Sequence, residues 1–143
     1  MTIRFLNETD DCSELMSVRY RVFIEEQGFD PTLERDRYDG HCVYAELRNE
    51  RNECVGTGRL FLEPTGHWVI GRLCLLPEYR GRGLGGQLLS ALVARAETTG
   101  AAEVWLHSQA DKTGFYAKYG FVPVGEIDWE DEGRPHQHMR RVF

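Results

Sequence analysis

Hydrophobic residues recur along the chain with two different periods, and each period predicts a different kind of element. Apolar and polar positions alternate, or short apolar runs stand between turn residues, in stretches typical of strands: residues 2–6, 41–48, 54–63, 67–76, 102–109, 121–129 and 135–143. Apolar residues at helical spacing predict two long helices, over 13–27 and 85–99, and a short one over 110–120. Gly28 and Gly100 are expected to end the long helices.

The connections between these elements predict how the sheet is built. Short polar turns separate the strands over 41–48, 54–63 and 67–76, which indicates antiparallel hairpins. The helix over 85–99 stands between two strands, which indicates a parallel pair with a right-handed crossover. The sequence therefore predicts one domain over residues 1–143 of the α/β (α+β) class, with a mixed, mostly antiparallel, twisted sheet and helices on both faces.

The composition narrows the range of partners. With 17 basic and 23 acidic residues the formal net charge is −6, so the chain is a poor nonspecific binder of nucleic acid. No signal-peptide pattern and no apolar run near the ~20 residues of a membrane span is present, so we expect a cytoplasmic protein without nucleic-acid or membrane partners. The four cysteines form no C-x-x-C pair and are expected to be reduced thiols, and no metal site is predicted.

The segment LCLLPEYRGRGLGGQLLSAL, residues 73–92, carries the clearest chemical signal. An apolar strand gives way to a glycine-rich turn, and the turn leads into a helix. The first turn of a helix exposes unpaired N–H groups and a partial positive charge, and glycines let a phosphate approach the backbone closely. With Arg80 and Arg82 beside it, this turn is predicted to bind a pyrophosphate.

Three other interpretations of this turn differ in how well the sequence supports them. A solvated surface turn stays open, since glycine-rich turns are common. A nucleoside-triphosphate loop would need Gly-Lys-Ser or Gly-Lys-Thr, which the segment lacks. Gly81, Gly83 and Gly86 match the G-x-G-x-x-G of dinucleotide-binding folds, but the preceding strands form a meander rather than the βαβ unit that such a fold needs.

Two motifs resemble those of the GNAT superfamily of N-acetyltransferases. Arg80, Gly83 and Gly85 spell R-x-x-G-x-G after a strand, and GFYAKYGFVPVG over 114–125 is similar to the family's later F-Y-x-x-x-G-F motif. The stretches RYRVFIEEQGF, ERDRYDGH and GRPHQHM resemble the ElaA-like branch, so nearly the whole chain is covered. The resemblance implies transfer of an acetyl group from acetyl-CoA to a primary amine, with a small-molecule acceptor favoured, in a fold whose central strand pair splays apart.

The resemblance also implies roles for individual residues. The strand backbone at Leu73, Cys74 and Leu75 is expected to bind the pantetheine arm of the cofactor. The pyrophosphate is expected at a group of seven residues: Arg80, Gly81, Arg82, Gly83, Leu84, Gly85 and Gly86. Gln109 stands where many relatives have an Asn that contacts the CoA arm, and Tyr116 matches the tyrosine that protonates the departing thiolate. A purely packing role for Tyr116 stays open.

The base that takes a proton from the amine has two main candidates. His136 and His138 alternate with Gln137 on the last predicted strand, so both histidines point to one side, and histidine is suited to accept protons near neutral pH. Glu26 and its neighbour Glu25, at the end of the first helix, are rivals, and His41 and His107 are further candidates. A carboxylate there opposes the helix dipole, which indicates a specific purpose or an arginine partner. Surface or packing roles for all these residues stay open.

The acceptor pocket is expected from the first helix, the loop after it and the last strands. Its predicted residues are Phe23, Glu25, His41, Arg72 and His107. Arg59 and Arg72 lie in interior strands and are expected to be paired within the protein. A protein lysine or N-terminal acetyltransferase and a non-catalytic acyl-CoA-binding module are the alternative functions, and the last strands offer a surface for a homodimer.

Overall fold

Seven strands form one mixed sheet in the computed structural model, which describes residues 1–143. The strands are β1 (Thr2–Leu6), β2 (Val43–Arg48), β3 (Cys54–Leu62), β4 (Trp68–Leu75), β5 (Glu103–Gln109), β6 (Val122–Pro123) and β7 (His136–Val142). Their order across the sheet is β1-β2-β3-β4-β5-β7-β6. β4 and β5 run parallel and all other neighbouring strands run antiparallel, which confirms the predicted mixed, mostly antiparallel sheet.

Helices connect the strands and cover the sheet. The α-helices are α1 (Ser13–Arg19), α2 (Pro31–Glu34), α3 (Leu84–Thr98) and α4 (Thr113–Ala117). β3 is buried at every position from Cys54 to Phe61, as expected for a strand covered on both faces, and α1 and α3 both pack against it. The apolar stripe of α3, including Leu88, Leu89 and Leu92, is fully buried. None of the helices combines the length and apolar character that a membrane span requires.

The first predicted helix changes character halfway along. It is α-helical only as far as Arg19 and continues as a π-helix over Tyr20–Glu26. In a π-helix an N–H bonds to the carbonyl five residues earlier, and Gln27 donates to Val22 in this way at 3.1 Å. The prediction of one regular helix up to Gln27 is therefore wrong in its second half. The wider turn brings Val22, Glu26 and Gln27 to the side that faces the cavity described below.

The strand predicted over 121–129 is much shorter than expected. Only Val122–Pro123 pairs with β7, and one further bridge joins Asp128 to His136. Pro123 has no N–H to donate, and Gly125 adopts a φ of 75°, so the chain leaves the ladder at this point. The connection then returns to the edge of β7 at Asp128.

Candidate active site

The parallel strands β4 and β5 part after two pairs of residues. Val69 lies opposite Trp105 and Ile70 lies opposite Leu106, and no later residue of β4 pairs with β5. The rest of β4 pairs only with β3, so its other edge is free of ladder partners. A cavity of about 1230 Å³ opens where the strands part, bordered by the glycine-rich turn, α4 and the start of β7.

A bulge in β4 marks the place where the strands part. Gly58 of β3 stands opposite two residues of β4, Arg72 and Leu73, and Arg72 has a φ of 53°, which is uncommon for a residue other than glycine. The Arg72 guanidinium donates to the Glu34 carbonyl oxygen at 2.9 Å and to the Glu34 carboxylate at 3.1 Å. Arg72 is thus paired within the protein, as predicted, and the pair holds the bulge in its conformation.

The glycine-rich turn leads into α3 at the border of the cavity. Gly81 has a φ of 78° and Gly83 a φ of 74°, so a side chain at either position would be strained. No heavy atom lies within 4 Å of the Cβ that either residue would carry, so the space beside the turn is open. α3 has no side-chain cap, and the N–H groups of its first turn have no partner within the helix. An anionic group of phosphate size fits this turn, because both donors and space are present.

Packing leaves no room for a side chain at Gly86, whereas a Cβ at Gly85 would make ordinary van der Waals contacts. A Cβ on Gly86 would lie 1.7 Å from Tyr119 Oη, and a Cβ on Gly85 would lie 3.6 Å from side-chain atoms of Leu75 and Phe115. Side chains therefore occupy this side of α3. The open approach to the backbone lies at the turn before the helix.

The two arginines of the turn have different surroundings. Arg80 forms a bidentate ion pair with Glu26, at 2.7 and 2.8 Å, and donates to the Leu75 carbonyl oxygen at 2.9 Å. The hydrogen bonds from Arg80 hold the pKa of the Glu26 carboxyl below its usual range, which makes Glu26 a weaker base than an unpaired glutamate. Arg82 is exposed, donates to the Glu78 carbonyl oxygen at 3.1 Å and does not line the cavity.

Tyr116 of α4 lies in the cavity wall. Its ring packs edge-on against Phe115 and Phe121, with centroid distances of 5.1 and 6.2 Å. Burial, and to a lesser degree the neighbouring Cys74, raises the pKa of Tyr116 to about 12. The hydroxyl therefore keeps its proton at neutral pH. The packing of the ring and a donor role for the hydroxyl are compatible in this arrangement.

Three histidines gather on the β5–β7 side of the cavity. His107 of β5 stacks on His138 at 4.3 Å between centroids and lies 4.8 Å from His136. Burial, followed by the charge of His138, lowers the pKa of His107. His136 is buried, and its Nδ1 lies 3.0 Å from the Arg134 carbonyl oxygen. A carbonyl oxygen only accepts, so Nδ1 carries a proton, and His136 Nε2 is the nitrogen left to accept one; it lies 3.6 Å from Asp131 Oδ2.

The cavity brings together most of the predicted site residues. Of the residues expected to bind the cofactor, all but Arg82 line it: Leu73, Cys74, Leu75, Arg80, Gly81, Gly83, Leu84, Gly85, Gly86 and Gln109. Of the residues expected to bind the acceptor, three line it: Phe23, Arg72 and His107. Glu25 and His41 are exposed and lie outside it.

Sequence reasoning missed two charged groups in the cavity wall. Lys112 and Lys118 line the cavity and flank the Gly-Phe-Tyr motif. Because that motif is predicted to border the site, its neighbours in the sequence could have been expected in the cavity wall. The acidic run Glu130–Glu132 lines it as well. The run lies between two predicted strands, and no local sequence pattern indicates that it faces a cavity.

Comparisons with known proteins agree with this geometry. The sequence profile described as "Acetyltransferase (GNAT) family" matches residues 9–121. The uncharacterized protein YyaT of Bacillus subtilis (strain 168) is 32% identical over an alignment 145 residues long, and the alignment covers 99% of this chain and 95% of YyaT. The crystal structure of an acyl-CoA N-acyltransferase from Pseudomonas aeruginosa matches with a TM-score of 0.84 and 30% identity, over 99% of both chains. Escherichia coli ElaA matches with a TM-score of 0.85 and 28% identity, over 98% of both chains, which confirms the predicted resemblance.

Proposed function

Because the chain belongs to the GNAT family of acetyltransferases, we propose that it transfers an acetyl group from acetyl-CoA to a primary amine of a small molecule. The observation that carries this proposal is one cavity that joins the open glycine-rich turn, the free edge of β4 and Tyr116. The pyrophosphate would lie on the turn, and the pantetheine arm would follow the backbone at Leu73–Leu75. A cytoplasmic location and a homodimer stay predictions of the sequence.

Three parts of the chain would share the chemistry. Backbone N–H groups of β4 beyond Ile70 are free of β5 and would donate to the thioester oxygen as negative charge builds on it. His136 Nε2 would accept the proton that the amine nitrogen loses when it bonds to the acetyl carbon, and Asp131 would stabilise the resulting imidazolium. Tyr116 would donate a hydrogen bond to the sulfur as the carbon–sulfur bond breaks.

Thermal unfolding with different ligands tests the binding half of the proposal. A ligand at ~100 times its dissociation constant adds roughly 2.7 kcal/mol to the free energy of unfolding, and we expect this rise with acetyl-CoA and with CoA, but not with ATP or NAD. Gly83→Asp should abolish the rise, because its carboxylate would occupy the phosphate position. Gly66→Asp is the matched control, since Gly66 has a φ of 93°, is exposed and lies outside the cavity.

Either of two results would contradict this assignment: stabilisation by ATP or NAD in place of CoA, or full stabilisation of Gly83→Asp by acetyl-CoA.

The acetyl-transfer part of the proposal is tested by the release of free thiol from acetyl-CoA with a panel of small primary amines and one lysine-containing peptide. If only the peptide is acetylated, the acceptor is a protein rather than a small molecule. Binding without turnover of any amine would favour a non-catalytic acyl-CoA-binding module.

A further inference from the structure

Two histidines and one aspartate converge beside the cavity in a way that the proposed acetyl transfer does not use. His107 of β5 and His138 of β7 stand directly opposite each other in the ladder, and Asp128 returns to the same edge through its bridge to His136. We propose that His107, His138 and Asp128 bind one divalent transition-metal ion of the Zn²⁺ class. This inference goes beyond the proposed acetyl transfer, and Asp131, which lies near both His107 and His136, is common to the two.

Two of the three separations between the ligand atoms fit a common ion, and the third, between the two histidines at up to 4.8 Å, requires rotation of an imidazole ring. Asp128 Oδ2 lies 3.0 Å from His107 Nε2 and 3.3 Å from His138 Nε2, and one ligand atom from each residue lies within 4.8 Å of the other two. Around a tetrahedral zinc with bonds of ~2.0–2.1 Å, ligand atoms stand about 3.3 Å apart. Imidazole nitrogens with one carboxylate oxygen are a donor set suited to zinc and to neighbouring divalent metals.

The contacts of His107 are compatible with a cation in the same place. Its Nε2 lies 3.0 Å from Asp128 Oδ2 with hydrogen-bond geometry, and its Nδ1 lies 3.3 Å from Asp131 Oδ2 without it. A neutral imidazole has only one N–H, so in the metal-free chain Nε2–H donates to Asp128. An ion that takes the place of this proton would bond to both Nε2 and Asp128 Oδ2, and the proton would then lie on Nδ1, which faces Asp131.

Asp131 would then accept a hydrogen bond from the metal-bound His107 without binding the metal itself. A histidine that binds a metal through one nitrogen usually donates its other N–H to a carboxylate or carbonyl, and this contact fixes the ring. Asp131 stands at that position beside His107. Three protein ligands leave at least one coordination position free, and because His107 and His138 both line the cavity, that position can be reached from it.

The test uses the full chain without an affinity tag, treated with a chelator and then titrated with ZnCl₂ in a calorimeter. We expect saturable binding of one ion per chain. His138→Ala and Asp128→Asn should each raise the dissociation constant at least tenfold, and Asp131→Asn should raise it about 10–100-fold. His41→Ala is the control, since it removes an exposed histidine outside the cluster and should leave the constant unchanged.

Unfolding curves recorded without metal show whether each variant keeps its fold. His138 is 54% exposed, so its removal should leave the fold intact even if an Asp128 variant is unstable. Co²⁺ gives a second readout, because its visible absorption should appear in the wild-type chain and be lost in His138→Ala. Absence of saturable Zn²⁺ binding, or an unchanged dissociation constant in both folded ligand variants, would overturn the proposal.

Discussion

The hydroxyl of Tyr116 is better suited to donate a hydrogen bond than to give up its proton. Its pKa of about 12 lies well above that of a free cysteine thiol, which is about 8.5. Complete transfer of the proton to a departing thiolate is therefore uphill. A hydrogen bond that strengthens as negative charge builds on the sulfur lowers the barrier without that transfer.

Tyr116→Phe should lower kcat on the order of 100-fold, because it removes a donor that acts mainly in the transition state. The KM for acetyl-CoA should change little, since the phenyl ring keeps the packing against Phe115 and Phe121. Steady-state kinetics with a confirmed amine acceptor measure both quantities. Tyr20→Phe is the control, because Tyr20 is exposed and lies outside the cavity. A wild-type kcat in Tyr116→Phe would mean that another group assists the departure of the thiolate.

One ion pair joins the π-helical segment to the glycine-rich turn. Glu26 ends the π-helical segment, and Arg80 of the turn also donates to the carbonyl of Leu75, the last residue of β4. Three elements that border the cavity thus meet at one guanidinium. We expect Glu26 to position the turn, while His136 on β7 accepts the proton.

Substitution by glutamine at the two rival bases should separate these roles. Glu26→Gln should raise the KM for acetyl-CoA by up to about fivefold and leave the pH profile of kcat unchanged, since a partly exposed ion pair contributes at most about 1 kcal/mol. His136→Gln should remove the rise of kcat with pH, because only a neutral imidazole can accept a proton. Kinetics over about pH 6 to 9 provide the comparison. A flattened profile in Glu26→Gln beside a normal one in His136→Gln would reverse the assignment.

Most of the sheet could be predicted because its elements carry their own burial pattern. β2, β3 and β4 are short, largely apolar runs bounded by turn residues and are mostly buried, and the short turns between them leave few ways to connect them. The glycine-rich turn was equally predictable, since Gly81 and Gly83 adopt conformations that other residues rarely take. In each case the information lies within a few neighbouring residues.

The features that the sequence did not reveal depend on distant contacts. The π-helical segment starts beside Arg19, whose side chain bonds to Glu34 and Asp39, 15 and 20 residues away, and helical spacing cannot report such partners. The meeting of His107 with Asp128 requires the register of β5 on β7 and the bridge that returns the chain after the short β6. No motif in the local sequence encodes either relation.

A buried ionic network connects α1, α2, the loop after α2, β3 and β4 beside the cavity. Its members, three positive and three negative, are Arg19, Arg59, Arg72, Glu34, Asp36 and Asp39. Arg19, 1% exposed, lies 2.7 Å from Asp39 and 2.8 Å from Glu34. Because separate segments between residues 19 and 72 supply these charges, the network forms only when those segments are packed together.

Asp39 is the member of the network that links two arginines. Its carboxylate lies 2.7 Å from Arg19 and 3.2 Å from Arg59, and it also accepts from the Tyr44 hydroxyl at 2.7 Å. Burial is the largest single effect and disfavours the charged form of Asp39, but the hydrogen bonds and charge of Arg19, the hydrogen bond from Tyr44 and the charge of Arg59 together outweigh it and hold the pKa of Asp39 well below the usual range. A folded-state pKa below the unfolded value of about 3.9 means that the unfolded chain takes up the proton first as the pH falls. The stabilisation is therefore complete above about pH 4 and is lost as the pH falls through the folded-state pKa.

Asp39→Asn should lower the free energy of unfolding at neutral pH by about 3–5 kcal/mol, because it leaves two buried arginines short of a counter-charge. The difference from the wild-type chain should narrow below about pH 4, because there the unfolded wild-type chain takes up a proton at Asp39 before the folded chain does. Urea unfolding followed by tryptophan fluorescence at neutral and acid pH measures both effects. Glu50→Gln, which neutralises an exposed carboxylate outside the network, should change stability little at either pH. A difference between Asp39→Asn and wild type that stays constant down to acid pH would show that packing, rather than charge, accounts for the loss.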